Sequence, residues 1–216
     1  MVNEQLAARG IVNEQVLGVM RTVPRQSFVP AEQLADAYAD PSLNRSYEKG
    51  VTRTLESPYV IASVAEQLSS QPAGRVLEVG TGAGYQAAVL SRLCKEVYTM
   101  DSSKLAADCA RVALDQTEFA KNVIVSVGDY TAGWPEAAPF DVIIMNGDVS
   151  PSDALLGQFN SGGRLIVPVG GDNNLHVFQK FGDRLVPSAT KPARPAPVAD
   201  NQIELPPVKP ILVRPM

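Results

Sequence analysis

The chain has 216 residues, 45% of them hydrophobic and 19% charged, which suits one globular domain with a sizeable buried core. A net charge of -4 and a pI near 5.1 leave no basic footprint for nucleic acid or an anionic membrane surface. The N-terminal MVNEQLAARGIVNEQVL lacks a basic flank before an apolar core, and no stretch approaches the ~18 apolar residues of a membrane span, so a cytoplasmic protein is expected.

Apolar positions Leu6, Ile11, Val16, Leu17 and Met20 predict one or two short helices over residues 3–22, broken near Gly10. Pro24 and Pro30 bracket VPRQSFVP, and AEQLADAY gives a second helical pattern from Ala31 to Tyr38. The polar stretch that follows, through Gly50, reads as a loop. Ser57-Pro58 has the form of an N-cap followed by proline at the first helical position, opening the helix YVIASVAEQLSS.

From Arg75 onward short apolar strands alternate with amphipathic helices. RVLEVG, EVYTMD, VIVSVG, FDVIIMNG and RLIVPVG read as strands, and YQAAVLSRLC and KLAADCARVALDQT as helices. This alternation predicts an α/β fold with a mostly parallel central sheet covered by helices on both faces, and FDVIIM has the nearly unbroken apolar character of a strand buried on both sides. The segment from Val186 to Met216 holds many of the 17 prolines and is expected to be extended.

Candidate chemistry is narrowed by scarcity. Cys94 and Cys109 form no CxxC pair, so both read as reduced packing residues, and the single histidine, His176, leaves little room for a metal site or a Ser-His-Asp scheme. His176 reads as a strand residue and Trp134 as loop packing. The sharpest feature is LEVGTGAGY, Leu77 to Tyr85, where a strand ends in Gly80, Gly82 and Gly84 and a helix follows at once. Glycines let the backbone turn tightly and approach a ligand, and the helix start offers N–H groups, so a nucleoside is the expected occupant. Two further acids mark the same crevice beside Glu78. Asp101 ends the next strand, roughly 20 residues further on, where a ribose diol commonly meets a carboxylate. Asp129 ends the third strand, where it could read an adenine edge. Both aspartates can equally be strand-end residues that cap loops or helices.

With these segments in hand, the chain resembles the protein-L-isoaspartate O-methyltransferase family from about Met1 to Gly171. MVNEQLAARGI, VPRQSFVP, LEVGTGAGYQAAVL, GDYTAGWPEAAPFDVII and SGGRLIVPVG look like family segments in the family's order. The resemblance implies a Rossmann-like class I S-adenosylmethionine-dependent methyltransferase fold, with S-adenosylmethionine across the C-terminal edge of the sheet. It implies cofactor contacts from Glu78, Gly80, Thr81, Gly82, Gly84, Asp101, Ser102, Gly128 and Asp129. The implied activity is protein repair, by methylation of the free carboxylate of an L-isoaspartyl residue in a damaged protein or peptide. The chain then divides into a helical cap and substrate-side loop (1–58), the methyltransferase core (59–185) and the proline-rich segment (186–216), all within one domain.

The acceptor side departs from the family pattern. Family members typically read GQTISQP where this chain reads TRTLESP. With Pro58 as the register mark, Thr54 matches the threonine, and Glu56 falls on the serine held to bind the substrate carboxylate. Two carboxylates would then face each other unless one is protonated or a cation intervenes, and Arg53 is a candidate for that cation. A slip by one position would offer Ser57 as the hydroxyl instead, although a helix cap also explains it. Thr54, Glu56 and Ser57 are therefore the candidate acceptor-side residues. Asn146 and Asp148, in MNGDVS, border the expected cleft or simply form an Asn-Gly turn. The alternative function is an S-adenosylmethionine-binding protein of this type with a changed acceptor or no isoaspartyl activity. A nicotinamide-dependent oxidoreductase fits the glycine turn but not the other segments.

Overall fold

The computed structural model describes residues 1–48, 50–70, 73–117, 120–147, 151–168 and 174–193. The N-terminal region is a π-helical turn (Val2–Leu6), a 3₁₀ turn (Ala7–Arg9), a break at Gly10 with φ 91°, and helix α1 (Glu14–Thr22). Asn13 caps α1 through its side-chain oxygen, which accepts from the Val16 N–H at 3.1 Å. Two more 3₁₀ segments follow, Arg25–Phe28 and Ala31–Asp36, so AEQLADAY is helical only in this tighter, shorter form.

The polar stretch expected to be a loop is instead an antiparallel hairpin, β1 (Leu43–Glu48) and β2 (Val51–Leu55), turning at Gly50 with φ 80°. Alternating β-branched Val51, Thr52 and Thr54 favour the strand, while only the Leu43 and Leu55 pair supplies an apolar face, so the pattern lacks the run that signals a strand. Register sets Arg45 directly opposite Arg53. Like charges in that position repel. Arg45 answers by lying over the Tyr47 ring, 4.9 Å from its centroid, while Arg53 turns toward the main domain.

The remaining elements are α2 (Pro58–Ser70), β3 (Arg75–Val79), α3 (Tyr85–Ser91), β4 (Glu96–Asp101), α4 (Lys104–Asp115), β5 (Val123–Val127), β6 (Phe140–Met145), α5 (Asp153–Leu156), β7 (Phe159–Val167), β8 (Asn174–Phe181) and β9 (Arg184–Pro192). They build a seven-stranded sheet in the order β5-β4-β3-β6-β7-β8-β9. The first five strands in that order are parallel, and β8 and β9 close it with antiparallel pairings. The sheet thus runs into the segment marked off at Val186, through Pro192; residues 194–216 lie outside the described residues. His176 sits on β8.

Period-2 alternation splits the sheet's side chains between two cores. Val76, Val142, Ile144 and Ile166 join the larger core with α1, α2 and α3. Leu77, Val79, Ile143, Met145 and Leu165 face the other way, onto Phe140, Leu155 and Phe159. That second face has less helical cover than expected. It is closed by α5, a 3₁₀ turn (Pro135–Ala137) and Trp134, whose ring meets Tyr98 edge-on at 5.4 Å.

Strand order reverses beside β3, whose neighbours are β4 and β6, so the chain leaves the sheet in opposite directions there and opens a crevice at the strand ends. Gly84, at φ 89°, starts α3 at that crevice and lets it approach α4: a Cβ on Gly84 would lie 3.2 Å from that of Ala110. Gly84→Ala should cost about 2 kcal/mol, combining left-handed backbone strain with this contact. In a urea-denaturation double-mutant cycle with Ala110→Gly, the pair should couple by at least ~0.5 kcal/mol, the steric share of the loss.

Candidate active site

β3, β4 and β6 deliver three chain segments to the crevice: the glycine turn, Asp101 with Ser102, and Asn146. The hairpin forms the opposite wall through Thr52, Arg53 and Thr54, with Glu56 next to it. The cleft between them measures about 280 Å³, at the lower end for small-molecule sites.

Gly80, Gly82 and Gly84 all have positive φ, at 94°, 55° and 89°. At Gly80 space is short as well, since a Cβ there would come within 3.1 Å of Asn146, whereas one on Gly82 would meet the Thr54 carbonyl oxygen at an ordinary 3.5 Å, so there the backbone conformation alone calls for glycine. The turn's N–H groups are mostly consumed internally. Gly80 and Thr81 donate to the Met100 carbonyl at 2.8 and 3.1 Å, and Gly84 to Thr81 at 3.0 Å. What the turn presents to the cleft is a backbone surface free of side chains, where the sequence suggested a row of open donors.

Asp101 is 1% exposed and saturated with donors. The N–H of Gly82 reaches Oδ2 at 3.2 Å and that of Ser103 reaches Oδ1 at 2.9 Å. Arg53 supplies the rest. Its Nε lies 3.0 Å from both carboxylate oxygens and its Nη2 2.7 Å from Oδ1, and Nη2 also donates to the Ser102 hydroxyl at 3.1 Å. The hydrogen bond to Asp101 raises the Arg53 pKa further, so the guanidinium is fully charged. Arg53 is thus paired with Asp101, where the sequence had suggested a partner for Glu56.

Glu78 stands below the turn and is fully buried. Thr99 donates to its Oε2 at 2.6 Å and Asn146 Nδ2 to its Oε1 at 3.2 Å. Asn146 Nδ2 also reaches the Gly80 carbonyl at 2.9 Å, and Gln86 Nε2 donates to Asn146 Oδ1 at 3.3 Å. Thr81 shares a 2.7 Å hydrogen bond with Thr99, so Glu78, Thr81, Thr99 and Asn146 form one polar web under the glycines. Burial pushes the Glu78 carboxyl up to about 8, against the opposing pull of those hydrogen bonds.

The other sequence candidates are spread more widely. Thr54 donates from its hydroxyl to Asn44 Oδ1 at 3.1 Å across the hairpin. Glu56 lines the cleft, and its carbonyl is anchored by Nη2 of the wholly buried Arg25 at 2.7 Å. Ser57 is 1% exposed and its oxygen accepts from the Val60 N–H at 3.3 Å, so it caps α2 and does not face the cleft. Gly128 donates to the Asp101 carbonyl at 3.1 Å. Asp129 turns away to accept from the Thr131 N–H at 2.8 Å, a bond that lowers its pKa, while its neighbour Tyr130 lines the cleft. Asp148 lies outside the described residues. Sequence reasoning missed Tyr130, Thr99 and Gln86; an aromatic beside a strand-end acid was the available hint for the first, and the other two carry no local signal.

Because the folded carboxyl of Glu78 holds its proton up to a pH where the unfolded one has lost it, the folded state binds more protons between about 4.5 and 8. Its contribution is fully present below about 4.5, falls as pH rises through that window, and is level above it. Glu78→Gln should flatten this part of the stability profile, measured by urea denaturation at several pH values across the window. A wild-type profile that does not fall there would show that the carboxyl is ionised in the folded protein.

The model of the protein-L-isoaspartate(D-aspartate) O-methyltransferase family matches residues 1–202. A protein-L-isoaspartate O-methyltransferase of Pelotomaculum thermopropionicum is 46% identical over 171 residues, 79% of this chain and 72% of that protein. One from Koribacter versatilis is 38% identical over 205 residues, 94% of this chain and 90% of its own. A solved protein-L-isoaspartate O-methyltransferase superposes with a TM-score of 0.74 at 26% identity, covering 87% of this chain and 61% of that one. A Plasmodium falciparum structure described as a beta-aspartate methyltransferase, in complex with S-adenosyl-L-homocysteine, shares the fold at a TM-score of 0.67 and 18% identity, covering 86% of this chain and 94% of that one. Among the described residues no helix is long and apolar enough to cross a membrane. On this breadth of agreement, with a seven-stranded sheet that carries a glycine turn and a buried acid at its switch point, the chain belongs to the protein-L-isoaspartate(D-aspartate) O-methyltransferase family.

Proposed function

We propose that the protein transfers the methyl group of S-adenosylmethionine to the free carboxylate of an L-isoaspartyl residue in a damaged protein or peptide, as a repair methyltransferase. The observation that carries the reading is Asp101, a buried carboxylate at the end of β4, opposite a glycine turn without side chains and beside an open cleft. This set suits a nucleoside: the acid accepts from a sugar diol, and the bare turn admits the rest of the ligand closely. Bound S-adenosylmethionine supplies an electrophilic methyl group on a sulfonium.

The chain's own residues do the rest by placement. A carboxylate acceptor is already anionic, so no strong general base is required, and the single histidine on β8 is no obstacle. Gly80, Thr81, Gly82, Gly84, Asp101 and Ser102 form the cofactor wall in this reading, with Glu78 acting from beneath by holding Asn146 and the turn in shape. Gly128 supports Asp101 from behind and Asp129 shapes the turn that brings Tyr130 to the cleft. Residues 1–58 supply the acceptor wall, through Thr54 and Glu56, and the hairpin excludes water from the reacting centre. Ser57 holds α2 in place. Residues 59–185 supply the cofactor side.

A second reading is favoured by one observation: Glu56 lines the cleft where the family's serine is expected to meet an acceptor carboxylate. The acceptor would then differ, or transfer to isoaspartyl sites would be absent. Incubation with radiolabelled S-adenosylmethionine and a peptide containing L-isoaspartate, with its normal aspartyl twin as control, separates the two. Label in the isoaspartyl peptide alone supports repair, whereas cofactor binding without label in either peptide supports the second reading. Asp101→Asn should weaken S-adenosylhomocysteine binding by about 10-fold or more in calorimetry, the loss of a charge-assisted acceptor for the sugar. Unchanged affinity would remove Asp101 from the site.

A further inference from the structure

Among the described residues that line the cleft, Arg53 is the only cation, and it occupies the seat that a cofactor sugar needs. A carboxylate offers about four lone-pair sites. At Asp101 the Gly82 and Ser103 N–H groups and the Arg53 fork use them all. A sugar diol can reach Asp101 only when Arg53 leaves. The small volume of the cleft has the same cause, because β2 rests on the glycine turn, with the Arg53 Cβ 3.8 Å from where a Cβ of Gly82 would stand.

Where a displaced Arg53 goes follows from charge. Two acids, Asp101 and Glu56, line the cleft, and an isoaspartyl acceptor would bring a third. Once hydroxyls take its place at Asp101, the guanidinium is the only cation among the described lining residues that can meet an incoming carboxylate. Arg45, opposite Arg53 in the hairpin, lies over the Tyr47 ring and does not line the cleft. Building on the methyl-transfer reading, we propose that Arg53 is a positioning and specificity-determining residue. Cofactor binding displaces it from Asp101, and it becomes the counter-ion that recruits the acceptor carboxylate, so an anionic acceptor binds well only to the cofactor-loaded protein.

The test is calorimetry on full-length wild type, Arg53→Gln and Arg53→Lys, each shown to be folded by circular dichroism. S-adenosylhomocysteine is titrated first, and then an L-isoaspartyl peptide with and without saturating S-adenosylhomocysteine. In wild type the nucleoside should strengthen peptide binding at least ~10-fold. Arg53→Gln should bind S-adenosylhomocysteine several-fold more tightly, having lost the competitor, while its coupling to the peptide disappears; Arg53→Lys should keep part of the coupling. Weaker nucleoside binding in Arg53→Gln would make Arg53 a clamp for Asp101 and overturn the proposal. So would coupling that survives in Arg53→Gln, or peptide binding in wild type that is absent or indifferent to the nucleoside. Methyl transfer by the wild type, measured alongside, judges the activity separately, because the binding arms require no turnover.

Discussion

A carboxylate removed from water must be given hydrogen-bond donors, and Asp101 finds them at the point where β4, the glycine turn and the start of α4 converge. Two of its donors are backbone N–H groups: that of Gly82, which the parallel pairing of β3 and β4 brings alongside, and that of Ser103, two residues further along the chain, so both come with the fold. The third set comes from Arg53, on an element outside the sheet. The permanent donors keep the acid in position, and the remaining coordination is what a ligand can compete for. The form of the cleft, the conformation of the turn and the seat of the hairpin all follow from this single site.

Below it stands a second buried acid. Glu78 has no cation and is held by Thr99 and Asn146, so burial wins and its carboxyl is pushed up to about 8. Asp101 lines the cleft, whereas Glu78 ties Thr99 and Asn146 together beneath the glycine turn. The division matters because a second fixed negative charge under the glycines would oppose the same guanidinium logic that governs the cleft.

The parallel strands were readable because burial on both faces favours nearly continuous apolar runs, as in VIIM of β6, and because each is followed by a helical pattern or a turn signal. The cap at Ser57 and the acid at Asp101 were equally readable, since each depends on local spacing. The hairpin was not. Its polar strands are stabilised by pairing and by one long-range ion pair, and Arg53 lies 48 residues from Asp101, a separation that no local pattern reports. Asp129 illustrates the reverse limit: a strand-end aspartate has the same appearance in sequence whether or not it closes its own turn, as Asp129 does with Thr131.

The hairpin contributes no strand to the seven-stranded sheet, and among its paired residues whose side chains are described only Leu55 is buried in the core. Changes between Thr52 and Glu56 therefore touch few of the contacts that keep the domain folded. Substitutions in TRTLESP can thus be made at the bench while the strands and turn of LEVGTGAGY keep their packing, so the two walls of the cleft can be altered separately.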